Sequence, residues 1–295
     1  MHAIPWQAYA ALALSTSLVG SYVGLSKLLL MVFPVFLLAW LRFGIASVLM
    51  LSWLKPAAAE PSLDRRTRGL LFLESFVGNF LFSICLLFGL RHSSALVAGV
   101  ILAGIPAAVA LLSWAILRER IGRRVGLGLV LGVAGIALVA LQKNQGATTG
   151  ENSGMGLVLL VAAVFCEATY VVIGKQLTAQ ISARRISALI NLWGLALVTP
   201  LGLWQALSFD FSQPSPSLWG LLVFYAAAAS MVSVWLWMTG LRHVPAAKAG
   251  VFMVFLPVAT GLVGLALGEQ LQPSQAAAYA LALAGVILAT WPRVK

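Results

Sequence analysis

Charged side chains are scarce in this chain. Only 9% of its 295 residues are Asp, Glu, Lys or Arg, while 61% are hydrophobic. A soluble domain carries about 25% charged residues on its water-facing surface, so an ordinary water-soluble globule is excluded. Cysteine is nearly absent: Cys85 and Cys166 are the whole complement, and both fall inside apolar runs. They read as small apolar side chains, not as a disulfide framework or a metal pair. The three histidines form no cluster with metal-ligand spacing. No HExxH, no Gly-Lys-Ser/Thr phosphate loop and no Gly-x-Ser-x-Gly elbow occurs. We therefore expect no enzymatic activity, no metal and no cofactor.

Long apolar stretches fill the chain instead. About 20 apolar residues make a helix that crosses a bilayer, and ten such spans are expected, at 6–26, 34–54, 70–90, 93–117, 124–142, 155–175, 186–206, 216–239, 246–267 and 272–291. The fold class expected is an all-α polytopic membrane protein. The first run lacks the basic region and small-residue cleavage site of a secretory signal, so it reads as a retained helix. The net charge of +11 does not point to nucleic acid, because the positive charge collects in short connections between spans. Fourteen Lys and Arg lie on the side holding both termini and the even-numbered connections, and only Lys27, Arg91 and Lys143 lie opposite. That asymmetry places both termini in the cytoplasm.

The chain also repeats itself. A Gly-Leu-Arg-His tetrad opens an apolar run at Gly89 and again at Gly240, and in both copies a proline follows the tetrad glycine by 17 residues, at Pro106 and Pro257. A glutamate comes next (Glu119, Glu269), then a glycine-patterned run (LGVAGIALVA, LALAGVILAT). The first helices match more weakly, SYVGLSKLL from Ser21 against TYVVIGKQL from Thr169. The expected organisation is a repeat over 1–142, a polar Gly-rich linker at 143–154 and a second repeat over 155–295. With five helices per repeat the second copy starts on the opposite side of the bilayer. Inverted halves of this kind let a carrier open a central site to one side and then the other.

With these motifs, and with the Arg42-Phe43 pair in the second span, the chain resembles the drug/metabolite transporter superfamily in its ten-helix EamA-type branch. The second repeat departs from the pattern, having Asn191-Leu192-Trp193 where an Arg-Phe pair would recur. Within the superfamily the chain is most similar to bacterial exporters of aromatic and other amino acids. The resemblance implies a basket of helices around a cavity lined by the first, third, fourth, sixth, eighth and ninth.

Glu167 is the strongest polar signal, since an ionised carboxylate in mid-span costs several kcal/mol unless it faces water or a partner. It reads as a site for a substrate ammonium group or for a proton, with an interhelical hydrogen bond as the structural alternative. Tyr170 shares its face, and Asn79 and Ser83, four apart, share another. Trp237 and Lys248 complete the candidate substrate-binding set, although a Trp near a span end also serves as an interface anchor and Lys248 can snorkel to the surface. Arg42, roughly 12 Å into its span, must pair or snorkel, and the resemblance assigns it to the scaffold. Glu74 reads as a peripheral partner of Arg68 near the membrane surface. Pro106 and Pro257 each remove a mid-helix hydrogen bond and are candidate hinges; the glycines of the fifth and tenth spans read as close-packing positions.

The expected activity is secondary or facilitative export of small metabolites, amino acids including aromatic ones, by alternating access. Proton-coupled efflux of cationic drugs or dyes is a second reading, and a non-transporting receptor or assembly subunit a third. The partners expected are a small-molecule substrate and the lipid bilayer; the sequence is compatible with a monomer.

Overall fold

A segment removed from water must satisfy its backbone polar groups internally, and the helix does so within one stretch of chain. Among the described residues the apolar runs accordingly become helix, and no strand occurs. The structure, a computed structural model, describes residues 6–56, 60, 62–117, 123, 126, 127, 130, 131, 134, 138, 154–243, 249, 252, 253 and 255–290. Lys248, Glu119, most of the span at 124–142 and residues 143–153 of the linker lie outside them.

Helix α1 runs over Trp6–Leu30 and α2 over Val35–Leu49, with a 3-10 turn at Leu51–Leu54. Helix α3 covers Arg65–Arg91, five residues earlier at its start than the apolar run alone indicates. The reason is a cap: the Asp64 side chain accepts the Thr67 amide at 2.7 Å, satisfying one orphan donor of the first turn. Its middle, Glu74–Leu81, widens into a π-helix before α-helix resumes at Phe82. The second repeat holds α6 (Gly154–Leu177), α7 (Ala183–Ala206) and α8 (Pro216–His243). Helix α8 also carries a π segment, at Ala227–Val232. The two π segments end at Leu81 and Val232, eight residues before the tetrad glycines Gly89 and Gly240.

The span expected at 93–117 is two helices, α4 (Ala95–Leu102) and α5 (Ile105–Leu117), parted by a turn at Ala103–Gly104. Pro106 has no N–H to give the carbonyl four residues back. The Gly104 amide instead turns to Ile101 O at 2.9 Å, and the next segment begins. In the other half Phe252 and Met253 form a short 3-10 turn before α9 (Phe255–Ala266), with Pro257 in its first turn. The mid-helix kink expected from the sequence is therefore a break, with each proline inside the first turn of a new segment, where its missing donor costs nothing. Helix α10 is Pro273–Thr290.

The first helix of each half packs against the other half: α1 on α8 and α9, and α6 on α3, α4 and α5. The tetrad glycines make this close. A Cβ at Gly240 would lie 2.8 Å from Leu12 Cδ2 and 2.9 Å from Ala8 O, and one at Gly89 would lie 2.9 Å from Leu160 Cδ2 and 3.4 Å from Gly156 O. Leu12 and Ala8 occupy the repeat-equivalent positions of Leu160 and Gly156, so both copies use one packing solution. Helices α2 and α7 pack on each other, and Asn191 Nδ2 donates to its own repeat-equivalent, Phe43 O, at 3.0 Å. Equivalent residues that touch lie on the axis relating the two copies. Outward faces are apolar: Met155, Val158, Trp204 and Leu262 are exposed, a surface suited to lipid and not to water.

On the basic face, Glu60 ties the α2–α3 connection to the start of α7. Its carboxylate accepts the Ser182 amide at 2.7 Å and Arg185 Nη1 at 2.9 Å. Burial pushes this carboxyl up, but the hydrogen bonds from Ser182 and Arg185 outweigh it and hold the group below its ordinary value of about 4.5. A depressed folded pKa adds stability above the ordinary value and loses it as pH falls through the folded one. Glu60→Gln should thus cost about 0.5–1 kcal/mol near neutral pH, and the gap from the parent should close in acid, as thermal unfolding in detergent across pH will read.

On the opposite face Glu269 caps α4, accepting the Ala95 amide at 2.9 Å, and faces Lys27 Nζ at 3.6 Å. Gly268 (φ +87°) ends α9 in the left-handed region, where only glycine is unstrained, and lets the Glu269 amide reach Gly264 O at 3.0 Å.

Candidate functional site

The helices close around a cavity of about 50 Å³, room for a few water molecules. Its polar lining is contributed helix by helix: Ser15, Thr16 and Tyr22 from α1, Arg42 from α2, Asn79 from the π segment of α3, Glu167 and Tyr170 from α6, and Ser233 and Trp237 from α8. Phe82, Val19, Met253 and Leu256 supply apolar wall, and Ile190 of α7 is part of it. The second and seventh helices thus line the cavity. Among the described residues of α4 and α5 none does, which corrects the lining expected from the family resemblance. Helix α4 is instead packed behind the cavity wall, against α9 and α6.

Both π segments face this cavity, through Gly78 and Asn79 on one side and Ala229 on the other. A π turn adds a residue, rotates the side chains that follow and leaves a carbonyl poorly matched in its own helix. Here Ser75 Oγ donates to Ile190 O at 2.6 Å and Asn79 Nδ2 to the same oxygen at 3.1 Å, so the α3 bulge is stitched to α7.

Of the residues singled out from sequence, Glu167, Tyr170, Asn79 and Trp237 come together in the cavity. Ser83 does not line it: buried behind it, Ser83 donates to Asn79 O and accepts from Arg42 Nη2 at 2.5 Å. Lys248 lies outside the described residues. Arg42, expected to serve the scaffold, lines the cavity while 3% exposed, with Cζ 4.2 Å from the Phe43 ring centroid and 5.8 Å from that of Tyr225. Its Nε has no partner, nor do Tyr170 Oη and Trp237 Nε1. Arg42 and Glu167 share the cavity without forming an ion pair. Tyr22 is within electrostatic reach of both.

Glu74 is the plainest departure from the sequence reading. It is 0% exposed, and neither carboxylate oxygen has a hydrogen-bond partner. Arg68, its expected partner, donates to Leu63 O instead. With α3 starting at Arg65, Glu74 sits about 14 Å along the helix, not at the surface. The Asp64 cap was the signal in the sequence that could have placed it. Cys85 and Cys166, read as small apolar residues, are free thiols that lie near each other across α3 and α6.

The lining sets a few polar and charged groups in a largely apolar wall. No group of three or more His, Cys, Asp or Glu suited to a metal occurs among the described residues.

The chain is similar to known proteins. The EamA-like transporter family matches the chain twice, over residues 6–141 and 154–291. An uncharacterized transporter of Bacillus subtilis (strain 168), YetK, is 36% identical over 264 residues, covering 89% of this chain and 80% of YetK. A second from the same organism, YyaM, is 24% identical over 254 residues, covering 85% and 83%. A crystal structure at 18% identity superposes with a TM-score of 0.66 over 95% of this chain and 96% of its own, which speaks for the fold. Two matches to one family, each on one copy of the internal repeat, together with the apolar helices, make this multi-pass membrane protein a member of the EamA-like transporter family.

Proposed function

We propose that this transporter exports small zwitterionic metabolites, amino acids including aromatic ones, across the bacterial inner membrane by alternating access. One observation carries the reading: a cation and a carboxyl, Arg42 and Glu167, line one buried cavity without neutralising each other. Opposite charges held apart cost desolvation energy, and a zwitterion supplies each with its partner. In this reading Glu167 takes the ammonium, Arg42 the carboxylate, and Tyr170, Asn79 and Trp237 the remaining polar and aromatic contacts. Access to the cavity would change from one side to the other as its walls move. The breaks ahead of Pro106 and Pro257, matched in two halves of opposite orientation, are where the bundle would hinge. Both termini and the basic face would be cytoplasmic.

The test is uptake of labelled Trp, Phe, Thr and Lys, and of a lipophilic cationic dye, into proteoliposomes with and without an imposed pH gradient. Saturable flux of the neutral amino acids is expected. Dye flux with none of the amino acids would sink this reading in favour of cation efflux, although the Arg42 cation in the cavity works against a lipophilic cation. Tight binding without any flux would point to a receptor.

A further inference from the structure

One titratable group takes no part in that site and yet is deeply buried. Glu74 lies in the π segment of α3, against α6. A Cβ at Gly174 would be 3.0 Å from Glu74 Oε1, and one at Gly78 would be 2.8 Å from Tyr170 Cδ2. The two glycines are the spaces into which the carboxyl and the ring fit, and they order the groups along the seam. Glu167 faces the cavity, Tyr170 follows one turn on, and Glu74 follows one turn further toward the basic face. Tyr170 is within electrostatic reach of both carboxyls.

A carboxylate without donor or cation, removed from water, costs several kcal/mol, and the packing around Glu74 offers it neither. On α6, the titratable groups facing it are Glu167 and Tyr170. Lys175, beside Gly174, donates to Leu241 O. On α7, Arg185 is taken by Glu60 and Arg184 lies over Trp53 and Trp235. On α3 itself, Arg68 caps its own turn. The space is also closed to anything larger: Met238 Cε packs 3.1 Å from the same Gly174 position. A proton is the one partner small enough to enter.

The geometry points to Glu74 as a proton-binding site of the carrier, set on the basic-face side of the central cavity. The exchange moves a single proton. An O–H bond forms at the Glu74 carboxylate when the proton is taken up from water and breaks when the proton is released to it. Because Glu167 lies at the end of this seam, a substrate ammonium that claims the Glu167 carboxylate changes where the proton rests, and proton loading changes substrate affinity by the same factor. Glu167 belongs to substrate and Glu74 to the proton. This division rests on the zwitterion reading of the cavity, whereas proton binding at Glu74 does not.

Two measurements on the full-length protein test it. Infrared difference spectra between acid and alkaline buffer, in H₂O and D₂O, should show the carbonyl stretch of a buried protonated carboxylic acid. That component should be absent in Glu74→Gln and present in Glu167→Gln. In proteoliposomes, a gradient of one pH unit sustains up to about tenfold accumulation at one proton per substrate. With labelled Trp as probe, accumulation should fall toward unity in Glu74→Gln while exchange of internal for external Trp persists, and Glu74→Asp should restore part of it. An unchanged acid band in Glu74→Gln, or gradient-driven accumulation surviving there, would overturn the assignment. If the wild type carries no Trp, the amino-acid reading fails, and the infrared result still decides Glu74 in either direction.

Discussion

Replacing Glu167 by Gln should lower transport of labelled Trp by about two orders of magnitude, and Arg42→Gln should do at least as much. Removing one member of a desolvated, hydrogen-bonded charge pair costs about 2–5 kcal/mol, because the other charge is left buried and unpaired. In the free cavity Arg42 and Glu167 have no contact with each other, so the loss is felt when substrate binds. The pattern across ligands is more diagnostic than the size. If Glu167 holds the ammonium, Glu167→Gln leaves inhibition by a carboxylic acid that lacks the amine, such as indolepropionate, nearly unchanged. If Arg42 holds the carboxylate, Arg42→Gln spares inhibition by tryptamine. Arg42 also supports Ser83 and stacks on Phe43 and Tyr225, so Arg42→Lys, which keeps the charge and loses the planar fork, should recover only part of the flux. Equal loss for acid, amine and zwitterion would mean that the variants damage the walls, and the assignment of the two ends would fail.

Gly78→Val should abolish transport and lower the unfolding midpoint clearly. Added atoms at residue 78 would begin 2.5 Å from Tyr170 Cβ and 3.0 Å from its Cγ. Cβ is fixed to the backbone, so no rotamer change relieves the contact, and α3 and α6 must separate. Overpacking of this kind costs about 1–3 kcal/mol or more, and it displaces Tyr170, which lines the cavity, together with Asn79 beside it. Gly69→Ala in the same helix is the control: nothing lies within 4 Å of the added methyl, and alanine is the better helix former by about 1 kcal/mol. That variant should unfold at or slightly above the parent temperature with flux intact. A Gly78→Val protein that keeps parental stability and flux would show that the α3–α6 seam is looser than described.

These residues also show where reading the chain as a string succeeds. Apolar runs, matched tetrads and the paired prolines carry the fold class and the duplication, because bilayer insertion and internal repetition are one-dimensional properties. Glu167 was legible for the same reason: an isolated carboxylate in an apolar run is costly wherever the helix packs. Boundaries were less legible. The start of α3 depended on the Asp64 cap and not on hydropathy, and a shift of five residues carried Glu74 from the surface into the interior.

The sequence by itself determined that this protein is a duplicated helical membrane protein with a few expensive polar groups in its spans, since hydrophobicity and spacing are written residue by residue. Only the tertiary structure decided which of those groups meet. It set Arg42 in the cavity lining and Ser83 behind it, brought Cys85 near Cys166 and left Glu74 without a partner. Each of these depends on contacts between residues far apart in the chain, through the glycine seams and π turns that set how two helices face each other. A side chain's role in a bundle is fixed by the neighbour opposite it, and that neighbour is chosen by packing.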